Sequence, residues 1–168
     1  SIRRVKCDLL CMSGGWTPTV HLFSQSRGKL KWDEQDTVFI PEKSFQEERS
    51  AGSCKGSWSL QKCLNDGAKA GVDAAKKTGL KASLPKIPKA DESDMGQIRS
   101  MWRIPHTLHT HIKRFVDFQD DVAASDIELA AREGYRSVEH TKRYTTLGMG
   151  TDQGKTSNVN GLGILAEE

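Results

Sequence analysis

The sequence has no long hydrophobic run and no strong excess of charge of one sign. None of its apolar stretches approaches the roughly 18 residues of a transmembrane helix, so we expect no membrane association. Its 25 basic and 22 acidic side chains leave a formal charge of only +3, without the basic stripe of a nucleic-acid-binding protein. No signal peptide is visible either, because the basic start breaks at Ser13-Gly14-Gly15. We therefore expect a cytoplasmic protein without membrane or nucleic-acid partners.

Cysteine is also scarce, and its spacing excludes the usual structural zinc sites. The first two cysteines are four residues apart in an apolar run, and none shows the paired spacing of a zinc ligand set. We interpret all four as reduced, mostly buried thiols of a cytosolic protein. They are Cys7, Cys11, Cys54 and Cys63.

Residues 80–113 are predicted to be a linker, because prolines and lysines interrupt any regular pattern there. Trp102 in this segment is a candidate aromatic anchor that docks onto a neighbour. The histidines that follow, a residue type that often ligates metals, have no carboxylate or cysteine at useful local spacing. We therefore interpret them as part of a polar loop and predict no metal site. They are His106, His109 and His111.

The first 79 residues predict the end of an α/β domain. Residues 1–12 end in an apolar run typical of a buried strand, and a short helix and short strands are expected between residues 20 and 40. A longer helix follows, which Ser57 or Ser59 can cap and Gly79 can end. Within that helix, glycines are interpreted as sites of close packing between helix and sheet. They are Gly67 and Gly71.

Residues 114–168 predict a small helical domain. Ser125 followed by Glu128 has the spacing of a capping box at the start of a helix, which Gly134 would end. Ser137 precedes a second short helix with a basic C-terminal turn, and a third helical pattern follows residue 158.

The loop before the third helix has the composition of an anion-binding site. Amides at a helix N-terminus favour negative charge, Lys155 adds a cation, and Thr156 and Ser157 add hydroxyl donors. The spacing differs from the phosphate loop GxxxxGK[ST], because five residues separate Gly148 from Gly154 and no apolar strand precedes them. We therefore reject an ATPase. An ordinary N-capped helix remains the alternative interpretation.

The run KRYTTLGMGTDQGKTSNVNG resembles the alpha (large) subunit of heterotetrameric sarcosine oxidases, just after its pyridine-nucleotide domain. The same layout is similar to the BFD-like [2Fe-2S] domains of related amine dehydrogenases. Those relatives hold the cluster with four cysteines, and none of the matching positions here is a thiolate. The resemblance therefore implies an internal fragment: the end of an NAD-binding domain, then a helical domain without an iron–sulfur cluster. The matching positions are Val116, Phe118, Asp152 and Ser157.

The resemblance also implies two cofactor-binding regions. The helical domain would face a partner subunit that carries FMN, with six residues near the flavin's phosphate end: Arg143, Thr145, Thr146, Gln153, Lys155 and Thr156. The earlier segment corresponds to a nucleotide-binding motif that usually contains Gly-Asp. Here serine replaces the acid, as in the sarcosine oxidase alpha subunit, which implies NAD rather than FAD. Its candidate contacts are Gly52, Ser53, Cys54 and Leu60.

As the resemblance implies, the whole enzyme oxidatively demethylates sarcosine to glycine. Oxygen is reduced to hydrogen peroxide, and tetrahydrofolate, bound by a domain outside this chain, accepts the one-carbon unit. The partners would be the beta, gamma and delta subunits, with FAD in a partner subunit. We predict no catalytic residue here, since Glu139 and His140 are neighbours that do not face each other on a helix. Two alternatives remain: a subunit of a related amine or opine dehydrogenase, and a non-catalytic docking module.

Overall fold

The computed structural model describes residues 3–11, 15–92, 96, 98–105 and 112–168. It has two compact units, Ser1–Ile98 and Arg99–Glu168, which we describe separately. The three histidines of the predicted linker lie outside the described residues. No helix in the described part of the chain combines the length and apolar character needed to cross a membrane. The described residues 80–92 and 98–105 contain no helix or strand.

The first unit contains one antiparallel strand pair and two helices. Helix α1 is His21–Gln25, strands β1 and β2 are Lys29–Asp33 and Val38–Lys43, and α2 is Leu60–Lys77. A 3-10 helix at Gly52–Lys55 precedes α2. Strands β1 and β2 pair with each other. Helix α1 and these strands confirm the short helix and the short strands predicted between residues 20 and 40. The chain is thus of mixed α/β class, whereas the dinucleotide-binding fold stays a prediction.

The strand predicted for residues 1–12 is wrong over the part that the structure describes. Residues 3–11 form no strand, and Leu9 and Leu10 are 78% and 72% exposed. A strand needs a hydrogen-bonded neighbour, and among the described residues the strand pairs are β1–β2 and the short pair of the second unit. Cys7 and Cys11 are exposed for the same reason, so the expectation that these thiols are buried is also wrong.

Helix α2 begins and ends where its sequence predicts. The Ser59 hydroxyl accepts a hydrogen bond from the Lys62 amide at 3.2 Å, and Gly79 adopts a positive φ of 83° just beyond the C-terminus. The predicted role of Gly67 and Gly71 is wrong. Both are exposed, and a Cβ atom at either position would have no neighbour within 4 Å, so neither permits close packing.

The second unit is a short hairpin followed by three helices. Strands β3 and β4 are Phe115–Asp117 and Val122–Ala123; helices α3, α4 and α5 are Ala124–Arg132, Val138–Thr145 and Asn158–Glu167. The three helices confirm the sequence prediction, but the hairpin was not predicted. Strands and helices enclose one apolar core, whose buried members are Val116, Val122, Ala124, Ile127, Leu147 and Ile164.

The start of α3 differs from the predicted capping box. The helix begins directly after β4, and the Asp126 carboxylate accepts a hydrogen bond from the Ala123 amide at 2.8 Å. Ser125 therefore lies inside the first turn. Glu128 instead lies 3.4 Å from the guanidinium of Arg114. The predicted end is correct: Gly134 has a φ of 96°, and its amide donates to the Ala131 carbonyl.

Candidate functional site

The candidate site is the polar loop of residues 146–157, which joins α4 to α5. Its first residue, Thr146, adopts the left-handed conformation with a φ of 64° and ends α4. The preceding Thr145 hydroxyl donates to the Thr141 carbonyl at 2.7 Å and accepts from the Leu147 amide at 3.2 Å. The threonine side chains therefore shape the exit from the helix. Arg143 lies exposed in the last turn of α4, as the sequence predicts for a cation at a helix C-terminus.

Two glycines close the loop onto itself. Gly148 and Gly154 have positive φ angles of 71° and 75°. A Cβ at Gly148 would lie only 3.1 Å from the Gly154 Cα, and a Cβ at either position would overlap the side chain of Asn158. Only glycine allows this approach without strain. The backbone just after α4 is thereby brought against the backbone just before α5.

Asp117 in β3 holds both ends of the loop through one buried carboxylate. Asp117 as a whole is only 2% exposed. One oxygen accepts from the Gly148 amide at 2.8 Å and the Ser157 hydroxyl at 3.0 Å, and the other accepts from the Gln119 amide at 2.9 Å. Burial raises the pKa of Asp117, but these hydrogen bonds together hold the pKa below its ordinary value. The carboxylate is therefore ionised and satisfied.

Asp152 binds the donors that were predicted to face an external anion. Its carboxylate accepts from the Gly154 amide at 2.9 Å, and from the amide and hydroxyl of Thr156 at 3.1 and 2.6 Å. The Thr156 hydroxyl and these amides lower the pKa of Asp152, with a smaller contribution from Lys155. The start of α5 thus has an internal anion, and Lys155 and Gln153 remain exposed beside it.

The four positions that match cluster-ligating cysteines in the iron–sulfur relatives do not form a ligand set here. Val116 belongs to the apolar core, whereas Phe118 is 79% exposed. Asp152 and Ser157 take part in the hydrogen bonds just described. Among the described residues, no group of three or more His, Cys, Asp or Glu side chains could hold a metal ion.

The second set of predicted contacts lies at the 3-10 helix of the first unit. Gly52 has a φ of 72°, Ser53 is exposed, and the Cys54 thiol donates to the Ala51 carbonyl at 3.1 Å. Leu60, the first residue of α2, is 61% exposed. These residues are close in the chain and form an accessible turn at a helix start. Their contact with NAD stays a prediction.

Sequence reasoning missed the residues that fix both regions. Asp66 accepts from the Ser57 hydroxyl at 2.5 Å, and this hydrogen bond is the main cause of its lowered pKa. In the second unit, Asp117 and Gln119 were passed over because only the flanking positions matched the family motif. One signal was present in the sequence. A lone carboxylate inside the apolar stretch Phe115–Phe118 needs buried donors, and a glycine-rich loop can supply them.

Comparison with known proteins shows that the chain is similar to one class of protein, the oxidase subunits. Residues 111–168 match the family described as the Sarcosine oxidase A3 domain. The chain is also similar to "Sarcosine oxidase subunit alpha" from Corynebacterium sp. (strain P-1), at 36% identity over 98% of the chain. A relative of the same name from Rhizobium meliloti (strain 1021) is 41% identical over 97% of the chain.

The chain is thus similar to sarcosine oxidase alpha subunits over nearly its whole length, which confirms the predicted resemblance. It spans only 17% and 16% of the lengths of the two relatives named above.

Proposed function

We propose that this chain is a segment of a sarcosine oxidase alpha subunit, and that its loop 146–157 binds the phosphate end of an FMN carried by a partner subunit. The whole enzyme would demethylate sarcosine to glycine, with oxygen reduced to hydrogen peroxide and tetrahydrofolate accepting the one-carbon unit. FAD in a partner subunit would oxidise the amine. The beta, gamma and delta subunits would be the partners.

The observation that carries the proposal is the closed loop with two exposed cations. Arg143 precedes the loop at the end of α4, and Lys155 lies beside the start of α5. A phosphate dianion favours such side chains, since each cation supplies charge-assisted hydrogen-bond donors. When bound, FMN would supply the electron transfer from FAD to oxygen. The residues of this chain would bind and orient its phosphate.

The internal carboxylate of Asp152 limits how the phosphate can be held. The Thr156 amide and hydroxyl already donate to Asp152, so the phosphate would be bound by side chains of the rim rather than by the amides of the helix start. Gln153, Thr146 and Thr145 complete this rim. We expect Lys155 and Arg143 to contribute most, because they alone among the six predicted residues carry positive charge.

The first experiment measures the subunit and cofactor composition of the native protein and its activity with sarcosine. We expect it to copurify with smaller subunits, to contain flavin and NAD, and to release hydrogen peroxide when sarcosine is added. A protein without flavin and without partner subunits would refute the proposal and favour a docking module instead. A visible spectrum typical of an iron–sulfur centre, together with bound iron, would favour the dehydrogenase alternative.

The phosphate contact is tested with charge variants in the assembled enzyme. Lys155→Gln and Arg143→Gln should each change the ³¹P resonance of the bound FMN and slow electron transfer from FAD to FMN. Arg136→Gln removes the same charge from the exposed connection between α3 and α4 and should leave both measurements unchanged. Equal effects of all three variants would indicate a general electrostatic effect and contradict the proposed contact.

We further propose that the turn at Gly52–Leu60 contributes to an NAD site. The support is the family resemblance together with the accessibility of Ser53 and Leu60. Leu60→Glu should lower the NAD content of the purified enzyme. Leu22→Glu is the matched control, since Leu22 in α1 is 80% exposed and carries no predicted contact. If both variants retain NAD equally, the proposed contact is wrong.

A further inference from the structure

The loop 146–157 does not hold its shape by its own hydrogen bonds alone. Two side chains of the β3–β4 hairpin, at positions 117 and 119, reach the loop at separate points. Asp117 is the last residue of β3 and Gln119 lies in the turn that follows, so the same end of the hairpin supplies both. None of the sequence motifs that predicted the site includes either residue.

Asp117 joins the two ends of the loop. Its buried carboxylate accepts from Gly148 near the first end and from Ser157 at the second, at 2.8 and 3.0 Å. Ser157 is itself fully buried and is the N-cap residue of α5. The direction in which α5 starts, and therefore the position of Lys155, is coupled to β3 through this one side chain.

Gln119 holds the middle of the loop. Its side-chain carbonyl accepts from both the amide and the hydroxyl of Thr151, at 2.6 and 2.7 Å. A Cβ at Gly150 would overlap the same side chain, so the loop backbone lies directly against it. Gln119 is an exposed residue, yet its side-chain carbonyl accepts from three donors, the third being the Asp152 amide at 3.4 Å.

We infer that Asp117 and Gln119 are positioning residues for the FMN-facing loop: they touch no cofactor atom but set where Lys155 and Thr156 lie relative to the flavin phosphate. The inference rests on the proposed function. It goes further by assigning a role to two residues of the hairpin that the family motif does not identify.

The chemistry of the two residues predicts different outcomes for conservative changes. Asp117 faces three donors, so Asp117→Asn places an amide group against a donor and leaves at least one hydrogen bond unmade. Gln119 uses only its carbonyl oxygen toward Thr151. Gln119→Glu keeps that acceptor, whereas Gln119→Met removes it at similar size. The glutamate variant should therefore preserve the position of the loop, and the methionine variant should not.

The test uses the assembled enzyme and two measurements. Hydrogen exchange should become faster at the amides of Gly148 and Thr151 by about tenfold, the factor expected for one lost hydrogen bond. The Gly148 amide should exchange faster in Asp117→Asn, and the Thr151 amide should exchange faster in Gln119→Met. Exchange in α3 should be unchanged in both variants. The ³¹P resonance of bound FMN should shift in both variants and return to the wild-type position in Gln119→Glu.

Asp120→Asn is the matched control, because Asp120 is exposed in the same hairpin turn and the substitution makes the same change of charge. It should alter neither measurement. A wild-type assembly without FMN would overturn the proposed function and this inference with it. Suppose that the wild-type enzyme contains FMN. If the ³¹P resonance of this FMN then stays at its wild-type position in both Asp117→Asn and Gln119→Met, the inference alone is overturned. A shift in Gln119→Glu equal to that in Gln119→Met also overturns it.

Discussion

The indole ring of Trp102 lies so close to Gly163 in α5 that a Cβ atom at position 163 would overlap ring atoms. Trp102 also packs against the apolar core of the second unit. The sequence had suggested an aromatic anchor on a neighbour. The structure shows instead that this tryptophan packs within its own unit, Arg99–Glu168, against α5, the last helix of that unit.

Gly163→Ala should destabilise the protein, although alanine is the better helix former. Alanine gains up to about 1 kcal/mol over glycine in a helix interior, but displacing the indole should cost about 1–3 kcal/mol as overpacking. Urea denaturation followed by circular dichroism measures the net effect. Gly67→Ala in α2 is the control, since a Cβ there meets nothing within 4 Å, and it should be neutral or stabilising. If Gly163→Ala stabilises the protein as Gly67→Ala does, the close contact is wrong.

Glu128 in α3 lies between two guanidinium groups, at 3.4 Å from Arg114 and 3.8 Å from Arg103. Glu128→Gln should therefore lower the free energy of unfolding by roughly 0.5–1 kcal/mol, the range of partly exposed ion pairs. The loss should shrink in 1 M salt, where the Debye length is about 3 Å.

Glu139→Gln, at an exposed position in the first turn of α4, is the matched control for the loss of a carboxylate. It should cost less, and only through the weaker interaction with the helix dipole. A capping role for Glu128, as the sequence suggested, would predict almost no loss, because glutamine can replace glutamate in a capping box. The size of the loss thus separates the observed ion pairs from the rejected capping box.

Local signals predicted the helices well. Ser59, Gly79, Gly134 and Ser137 mark helix ends at the predicted places, because caps and left-handed glycines act within a few residues of the chain. The capping box at Ser125 failed because β4 runs directly into α3, and a two-residue strand leaves almost no periodic pattern in a sequence.

Non-local relationships were not predictable in the same way. The bond between Asp117 and Ser157 joins residues 40 apart, and no spacing rule connects them. The apolar run at residues 3–11 predicts a strand only if a neighbouring strand exists, which local sequence cannot show. The candidate loop was found through its composition and the family resemblance, whereas the residues that hold it became visible only in three dimensions.

Gly148 and Gly134 both have positive φ angles, of 71° and 96°, but differ in their surroundings. A Cβ at Gly134 would meet nothing within 4 Å, whereas one at Gly148 would overlap the Asn158 side chain. Gly134→Ala should therefore cost about 1 kcal/mol, from the backbone conformation alone. Gly148→Ala should cost roughly 1–3 kcal/mol more, because it also forces the loop apart. Equal losses in urea denaturation would show that the loop is not closed at Gly148.

The buried carboxylate of Asp117 predicts how stability depends on pH. Its pKa is lowered in the folded protein, so its contribution is fully present above the ordinary aspartate pKa of about 3.9 and is lost as pH falls through the lower folded value. Asp117→Asn has no such titration. The stability advantage of the wild type over this variant should be constant from about pH 7 to 5 and should shrink below about pH 4.

Urea denaturation of both proteins across this pH range tests the prediction directly. The carboxylates of Asp66 and Asp152, whose pKa values are also lowered, titrate in both proteins, so their contributions cancel in the difference. Asp120→Asn corrects for the general effect of removing one negative charge from the same turn. If the difference between wild type and Asp117→Asn grows as the pH falls, the Asp117 carboxylate is not stabilised by the donors that Gly148, Gln119 and Ser157 provide.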